Sequence, residues 1–266
     1  MASLWYIYRK LFISRKCVIC NEPIWFYEDT PLCDECIETW DEHLQEKCHI
    51  CGKTSANCNC VPKLIRAVSP FACWSVFYMG QTDDEYSADM ILLNLKKYPL
   101  REVYDFCSER MVKTIKAQCK AHGENYKDYA ITYAPRSHIN ICNYGADQSK
   151  ELAKCIAKKL DIKLVHALIH KGDKEQKKLN AEQRIKNAES SYFLNEKFEC
   201  EHEKYFLVDD ILTSGATLHY CAKLLLESGA KTVVPVTYCK DNIERGDKNV
   251  KRNFKYYFTR FIKGIM

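Results

Sequence analysis

The stretch "FLVDDILTSGATLHYC", residues 206–221, decides how the rest of the chain is read. Tyr205 to Val208 is apolar enough for a short buried strand. After the loop, Leu218, Cys221, Ala222, Leu225 and Leu226 recur at the spacing of one helical face, and Gly229 supplies a C-terminal stop. Between strand and helix lie two acids, Asp209 and Asp210, and the small residues Thr213, Ser214, Gly215, Ala216 and Thr217. Small side chains let backbone N–H groups approach an anion, and glycine tolerates unusual dihedrals. At a helix N-terminus the aligned dipole adds to that preference. The loop is a cradle for one phosphate, without the Lys-Ser/Thr signature of the nucleotide P-loop. A carboxylate beside it repels phosphate but accepts hydrogen bonds from the vicinal hydroxyls of a ribose. A ribose 5-phosphate meets both demands, and Mg2+ would offset the charge of a pyrophosphate at C1. The bland alternative is a polar turn that caps a helix, with Asp210 solvated. A receiver-domain acidic pair is a rival, but no matching phosphoacceptor and lysine arrangement is present.

Working outward, strand and helix patterns alternate. Ala130–Ser137 reads as a strand ending at Pro135, and Gln148–Leu160 as a helix with Leu152, Ile156 and Leu160 on one face. Lys163–Ile169 and Thr232–Cys239 read as further strands. The alternation predicts an α/β domain with a mainly parallel sheet, whose ligand lies beyond the carboxyl ends of the strands. The 266 residues, 47% apolar, suffice for one large unit and a small one, and a net charge of +5 permits an anionic ligand without demanding nucleic acid. "VPKLIRAVSP", from Val61, reads as a linker, so the expected units are 1–62 and 63–266. No apolar run reaches membrane-spanning length. Charges follow the first apolar segment rather than precede it, which favours a docking segment of a cytoplasmic protein over a signal peptide.

Eight of the sixteen cysteines fall between Cys17 and Cys60, and the others scatter singly, as core thiols of a reducing compartment do. The cluster comprises the knuckles Cys17/Cys20, Cys33/Cys36 and Cys48/Cys51, then Cys58/Cys60. Eight thiolates suit two closed structural Zn2+ sites of four ligands each, with no open position for catalysis. So short a segment cannot bury enough apolar surface to fold alone, and a metal staple would supply the difference. A redox Cys-x-x-Cys and an iron–sulfur cluster fit four paired motifs less well. The pairing is either sequential or interleaved.

The Val208–Thr217 stretch resembles the phosphoribosyl pyrophosphate motif of type I phosphoribosyltransferases. Cysteine knuckles ahead of such a domain resemble the ComF family, competence-associated proteins with a double zinc ribbon. Pro135 followed by "YGADQ" is similar to that family's Arg-Gly-Phe-Asn-Gln box, with Gly145 and Gln148 matching. Gln176, Leu179, Arg184 and Asn187, with Tyr192 after them, match its later pattern, and Leu93–Val103 its helix exit. The resemblance implies a type I phosphoribosyltransferase-like sheet behind a zinc ribbon. It also implies phosphoribosyl pyrophosphate with Mg2+ as ligand, Pro135 and Arg136 beside the phosphate loop, and Asp209 and Asp210 as the catalytic pair. The chain departs from the pattern at Tyr144, Ala146 and Asp147. It also has no lysine or arginine in the loop 138–143, the segment expected to close over pyrophosphate.

Beyond Asp247 the chain carries Lys248, Lys251, Arg252, Lys255, Arg260 and Lys263 among Phe254, Tyr256, Tyr257, Phe258 and Phe261. Cations with interleaved rings suit single-stranded DNA; a terminal strand with one buried face is the structural alternative. The leading expectation is a ComF-like protein that binds a ribose phosphate and serves DNA uptake or processing. The alternatives are an active phosphoribosyltransferase of nucleotide metabolism and a non-catalytic zinc-ribbon adaptor for single-stranded DNA or a protein partner.

Overall fold

The structure, a computed structural model, describes residues 15–20, 22–24, 30–78, 91–92, 95, 100–171 and 188–242. The N-terminal docking segment up to residue 14, the Gln176–Asn187 pattern and the basic tail lie outside the described residues. Four strands form a parallel sheet: β3 (Cys73–Tyr78), β4 (Tyr129–Tyr133), β7 (Lys204–Leu212) and β8 (Thr232–Asp241). Their spatial order is β3-β8-β7-β4. Helix α3 (Arg101–Ala121) follows β3, α5 (Gln148–Leu160) follows β4, and α6 (Ala216–Glu227) joins β7 to β8. Both faces of the sheet are covered, which is why its strands are apolar at successive positions. In β7, Phe206 and Val208 join the core under α3 and α5, whereas Tyr205 and Leu207 join the core under α6. That alternation is the two-residue period of a strand.

Several elements differ from the sequence-based expectation. Residues 163–169 do not form one strand. The chain touches β4 through a single bridge at Leu164, then turns away, and β5 (Leu168–His170) pairs antiparallel with β6 (Tyr192–Leu194). The segment 138–143, expected as a loop, is helix α4 (His138–Tyr144). Its ends explain this: the Ser137 hydroxyl accepts from Asn140 N, and Gly145 at φ +75° closes the C-terminus. The linker after Val61 contains a one-turn helix, α2 (Lys63–Arg66). Strand β3 and helix α3 had no sequence-based expectation.

The cysteine-rich segment packs directly on this sheet. It holds the short pair β1 (Arg15–Lys16) and β2 (Pro23–Ile24), then α1 (Asp34–His43). Trp40 of α1 is fully buried, stacked on Tyr238 of β8 at 6.0 Å and edge-on to Phe106 of α3 at 5.4 Å. Burying an indole of this size contributes several kcal/mol, so α1 is anchored to the sheet by its one large ring. Among the described residues, no helix is long and apolar enough to cross a membrane.

Candidate functional site

The sheet brings the quoted stretch together with the residues after β4. Ala134 N donates to Val208 O at 2.9 Å, carrying the β4–β7 ladder one residue past β4. Pro135 and Arg136 therefore stand beside Asp209 and Asp210, 74 residues further along the chain. This is the carboxyl edge of a parallel sheet, where ligands of such folds bind. Strand β7 runs through the acids to Leu212, and Thr213, Ser214 and Gly215 turn the chain into α6. Gly215 has φ +80°, a left-handed conformation that costs a residue with a Cβ roughly 1–2 kcal/mol. Its Cα also lies against α2: a Cβ there would stand 2.8 Å from Ile65 Cγ1. Ala216 and Thr217 open the helix, whose first N–H groups have no partner within the helix. The expected cradle residues Thr213 to Thr217 thus occupy one tight turn at a helix N-terminus.

The acids have distinct surroundings. Asp209 Oδ1 accepts from the Ser149 hydroxyl and from Asp210 N, both at 2.9 Å. Burial, then the neighbouring Asp210 charge, push the Asp209 carboxyl up to about 7. Asp210 is buried, and its Oδ2 accepts from Arg136 Nη2 at 2.5 Å. Although burial opposes its charge, Asp210 followed by Asp209 and Asp147 hold the guanidinium firmly protonated. Asp147 caps α5 through Lys150 N and also accepts from Arg136 N at 3.1 Å, which fixes the backbone from which the arginine projects. Arg136 Nε is buried without a hydrogen-bond partner among the described residues, so the side chain keeps an unused donor. Tyr192 is buried over this corner; desolvation drives its phenol up, and a hydrogen bond with Thr217 opposes the shift. Ser149 was not anticipated: no motif marks a serine in the first turn of a helix as a partner for an acid 60 residues away.

The eight clustered cysteines assemble sequentially. Cys17, Cys20, Cys33 and Cys36 form one group, and Cys48, Cys51, Cys58 and Cys60 the other, with ligand atoms of each within 4.8 Å of one another. A tetrahedron with Zn–S bonds of about 2.3 Å has edges of about 3.8 Å. The Cys20–Cys33 and Cys51–Cys58 sulfur separations are 3.5 and 3.8 Å, so the donor sets suit zinc in both number and spacing. In the second group, desolvation opposes ionisation of Cys48. The N–H groups of Cys51 and Ile50 outweigh it, aided by Cys58 and the Lys240 charge, and bring the thiol down to about 7. Metal bound there would hold the segment 47–60 against the sheet, a structural task needing no open coordination position. Of the remaining cysteines, Cys221 is fully buried as expected and Cys155 half-buried.

Comparison with known proteins bears on the sheet domain. A family model described as a phosphoribosyl transferase domain matches residues 146–263, which include the Asp209–Thr217 stretch. Competence protein ComFC of Streptococcus pneumoniae (strain ATCC BAA-255 / R6) is 25% identical over 209 residues, covering 77% of this chain and 86% of that protein. Competence protein ComFC of Bacillus subtilis (strain 168) is 31% identical over 103 residues, 39% of this chain and 40% of that protein. The matched domain, the two relatives and the paired four-cysteine groups together support a ComF-family protein, with a type I phosphoribosyltransferase fold and a zinc-ribbon module.

Proposed function

We propose that this chain binds a ribose 5-phosphate ligand, phosphoribosyl pyrophosphate with Mg2+, and that it does so in the service of DNA uptake. The observation that carries the proposal is Gly215, left-handed at the start of α6, two strand residues and a short turn beyond the Asp209–Asp210 pair. Backbone N–H groups and the hydroxyls of Thr213, Ser214 and Thr217 take the 5-phosphate. The carboxylates take the ribose hydroxyls. As hard oxygen donors, Asp209 and Asp210 are of the type Mg2+ accepts, and the ion would balance the pyrophosphate charge, with most of its ligands from pyrophosphate and water. The DNA-uptake part rests on association: both relatives are named competence proteins.

A second reading, transfer of the phosphoribosyl group to a small acceptor, is favoured by Arg136. Its guanidinium stands beside the acidic pair with an unused Nε donor, and a departing pyrophosphate gains from a fixed positive group. Calorimetric titration of the reduced, zinc-loaded protein with phosphoribosyl pyrophosphate and Mg2+ tests the first reading. Saturable binding, lost in the Asp209→Asn/Asp210→Asn double variant, supports it; no binding by the wild type rejects it. Pyrophosphate release in the presence of candidate bases tests the second.

A further inference from the structure

The two cysteine groups are not equivalent. Cys17 belongs to the core under α3 and α5, whereas Cys48 and Cys58 belong to the core on the other face of the sheet, under α6. The second group is tied to the edge strand β3 and to the carboxyl end of β8 by several polar contacts. The Ser55 hydroxyl donates to Ser75 O at 2.8 Å, and His49 N to Asn242 Oδ1 at 3.1 Å. The ammonium of Lys240, a buried residue of β8, lies 4.7 Å from the ring centroid of Trp74 and donates to Cys58 Sγ at 3.5 Å. Four thiolates and a divalent zinc leave two negative charges, so a buried ammonium at this distance offsets part of them. Among the described residues, no ammonium or guanidinium hydrogen-bonds to a sulfur of the first group.

From Cys60, the last sulfur of the second group, four residues lead to Ile65 of α2. Helix α2 bears on the phosphate loop at two points. Ile65, fully buried, fills the space beside Gly215 where a Cβ would otherwise stand, with Cγ1 and Cδ1 at 2.8 and 3.0 Å from that position. The Leu64 carbonyl lies 2.8 Å from His219 Nδ1. A carbonyl can only accept, so the imidazole carries its proton on Nδ1. His219 N in turn donates to Gly215 O at 2.8 Å. A helix of one turn does not hold itself together, so the position of α2 depends on what anchors its two ends.

We propose that metal at the Cys48–Cys60 group positions the phosphate loop through α2, so that metal retention there and phosphate-ligand affinity are coupled. The first group does not share this coupling. The inference rests on the reading of residues 213–217 as a phosphate cradle, and its test carries one measurement that needs no ligand. Wild type, Cys60→Ser, Cys36→Ser and Ile65→Ala are compared in the full chain for zinc content, for hydrogen exchange of the amides of residues 215–219, and for affinity toward phosphoribosyl pyrophosphate with Mg2+. Cys60→Ser loses one zinc, exchanges faster at 215–219 and binds the probe about fivefold to tenfold more weakly. Ile65→Ala keeps both zinc ions yet shows the same two changes, which separates the strut from metal loss itself. Cys36→Ser loses one zinc without a local effect: exchange at 215–219 speeds no more than in the rest of the sheet. By reciprocity, saturating probe raises the equilibrium affinity of one zinc site, read by competition with a chromogenic chelator, by the same factor. Wild-type exchange at 215–219 in both Cys60→Ser and Ile65→Ala overturns the coupling, as does equal acceleration in Cys36→Ser. If Cys60→Ser does not fold, the zinc competition on the wild type decides: an affinity for zinc unchanged by saturating probe overturns the coupling. Faster exchange in both variants alongside a wild type that binds no probe leaves the coupling standing and removes the ribose-phosphate reading.

Discussion

Arg136 and Asp210 form a buried ion pair across the carboxyl edge of the sheet, joined at 2.5 Å although 74 residues separate them in the chain. Breaking a buried pair from one side strands the other charge. Arg136→Met and Asp210→Asn should each lower the unfolding free energy by about 3–5 kcal/mol. The double variant should lose clearly less than the sum, as urea midpoints in a double-mutant cycle would show. Additive losses would mean that the two groups are not coupled.

Asp209 provides a pH test. Its folded value, about 7, lies above the unfolded carboxylate value, so the native state holds the extra proton between those limits. Stability should therefore fall as pH rises from about 4 to about 7, then level off. Asp209→Asn should flatten that slope in urea midpoints. If the carboxylate accepts ribose hydroxyls, affinity for phosphoribosyl pyrophosphate should rise more steeply through the same window in the wild type than in the variant, where the ligand's own phosphates still titrate at about pH 6.

Gly215→Ala adds a methyl where the backbone is left-handed and where Ile65 Cγ1 would stand 2.8 Å away. Backbone strain alone costs about 1–2 kcal/mol. The thermal midpoint should fall by several degrees, and binding of phosphoribosyl pyrophosphate should drop below detection while the zinc content remains at two per chain. Unchanged affinity would remove the loop from the ligand site.

Zinc removal should be severe. Each structural site contributes on the order of 10 kcal/mol in small zinc modules. A strong chelator at neutral pH should lower the thermal midpoint by more than about 10 °C, and added zinc should restore it. Metal analysis of the reduced protein should return two zinc per chain. A value near one would leave one of the four-cysteine groups without its ion.

The strand–acid–loop–helix unit and α5 could be read from the sequence because local spacing determines them: Leu152, Ile156 and Leu160 repeat at helical intervals, and Gly215 and Gly229 punctuate α6. Helix α3 carries a comparable signal, with Val103, Cys107, Met111, Ile115 and Cys119 four apart and all buried. Charged residues fill the intervals and two of the five are cysteines, which masks the period. Strand order, the sequential cysteine pairing and the α2–Gly215 contact depend on residues far apart in the chain, which local periodicity does not encode. The resemblance implies Arg136 beside the loop, but nothing in its neighbourhood announces Asp210 as its partner. The resemblance implies a loop at 138–143, yet Ser137 and Gly145 are cap residues that mark a helix.

Lys240 stands 182 residues after the Cys58 sulfur to which it donates. A ribosome finishes both metal-binding groups first and makes β8 near the end of the described chain. Until that last strand arrives, Trp40 lacks the Tyr238 ring it stacks on, and β3 lacks the strand it pairs with. The nascent chain must therefore carry the apolar surface around Trp40 uncovered until β8 is made. Late pairing of this kind slows folding and leaves strand edges open to aggregation.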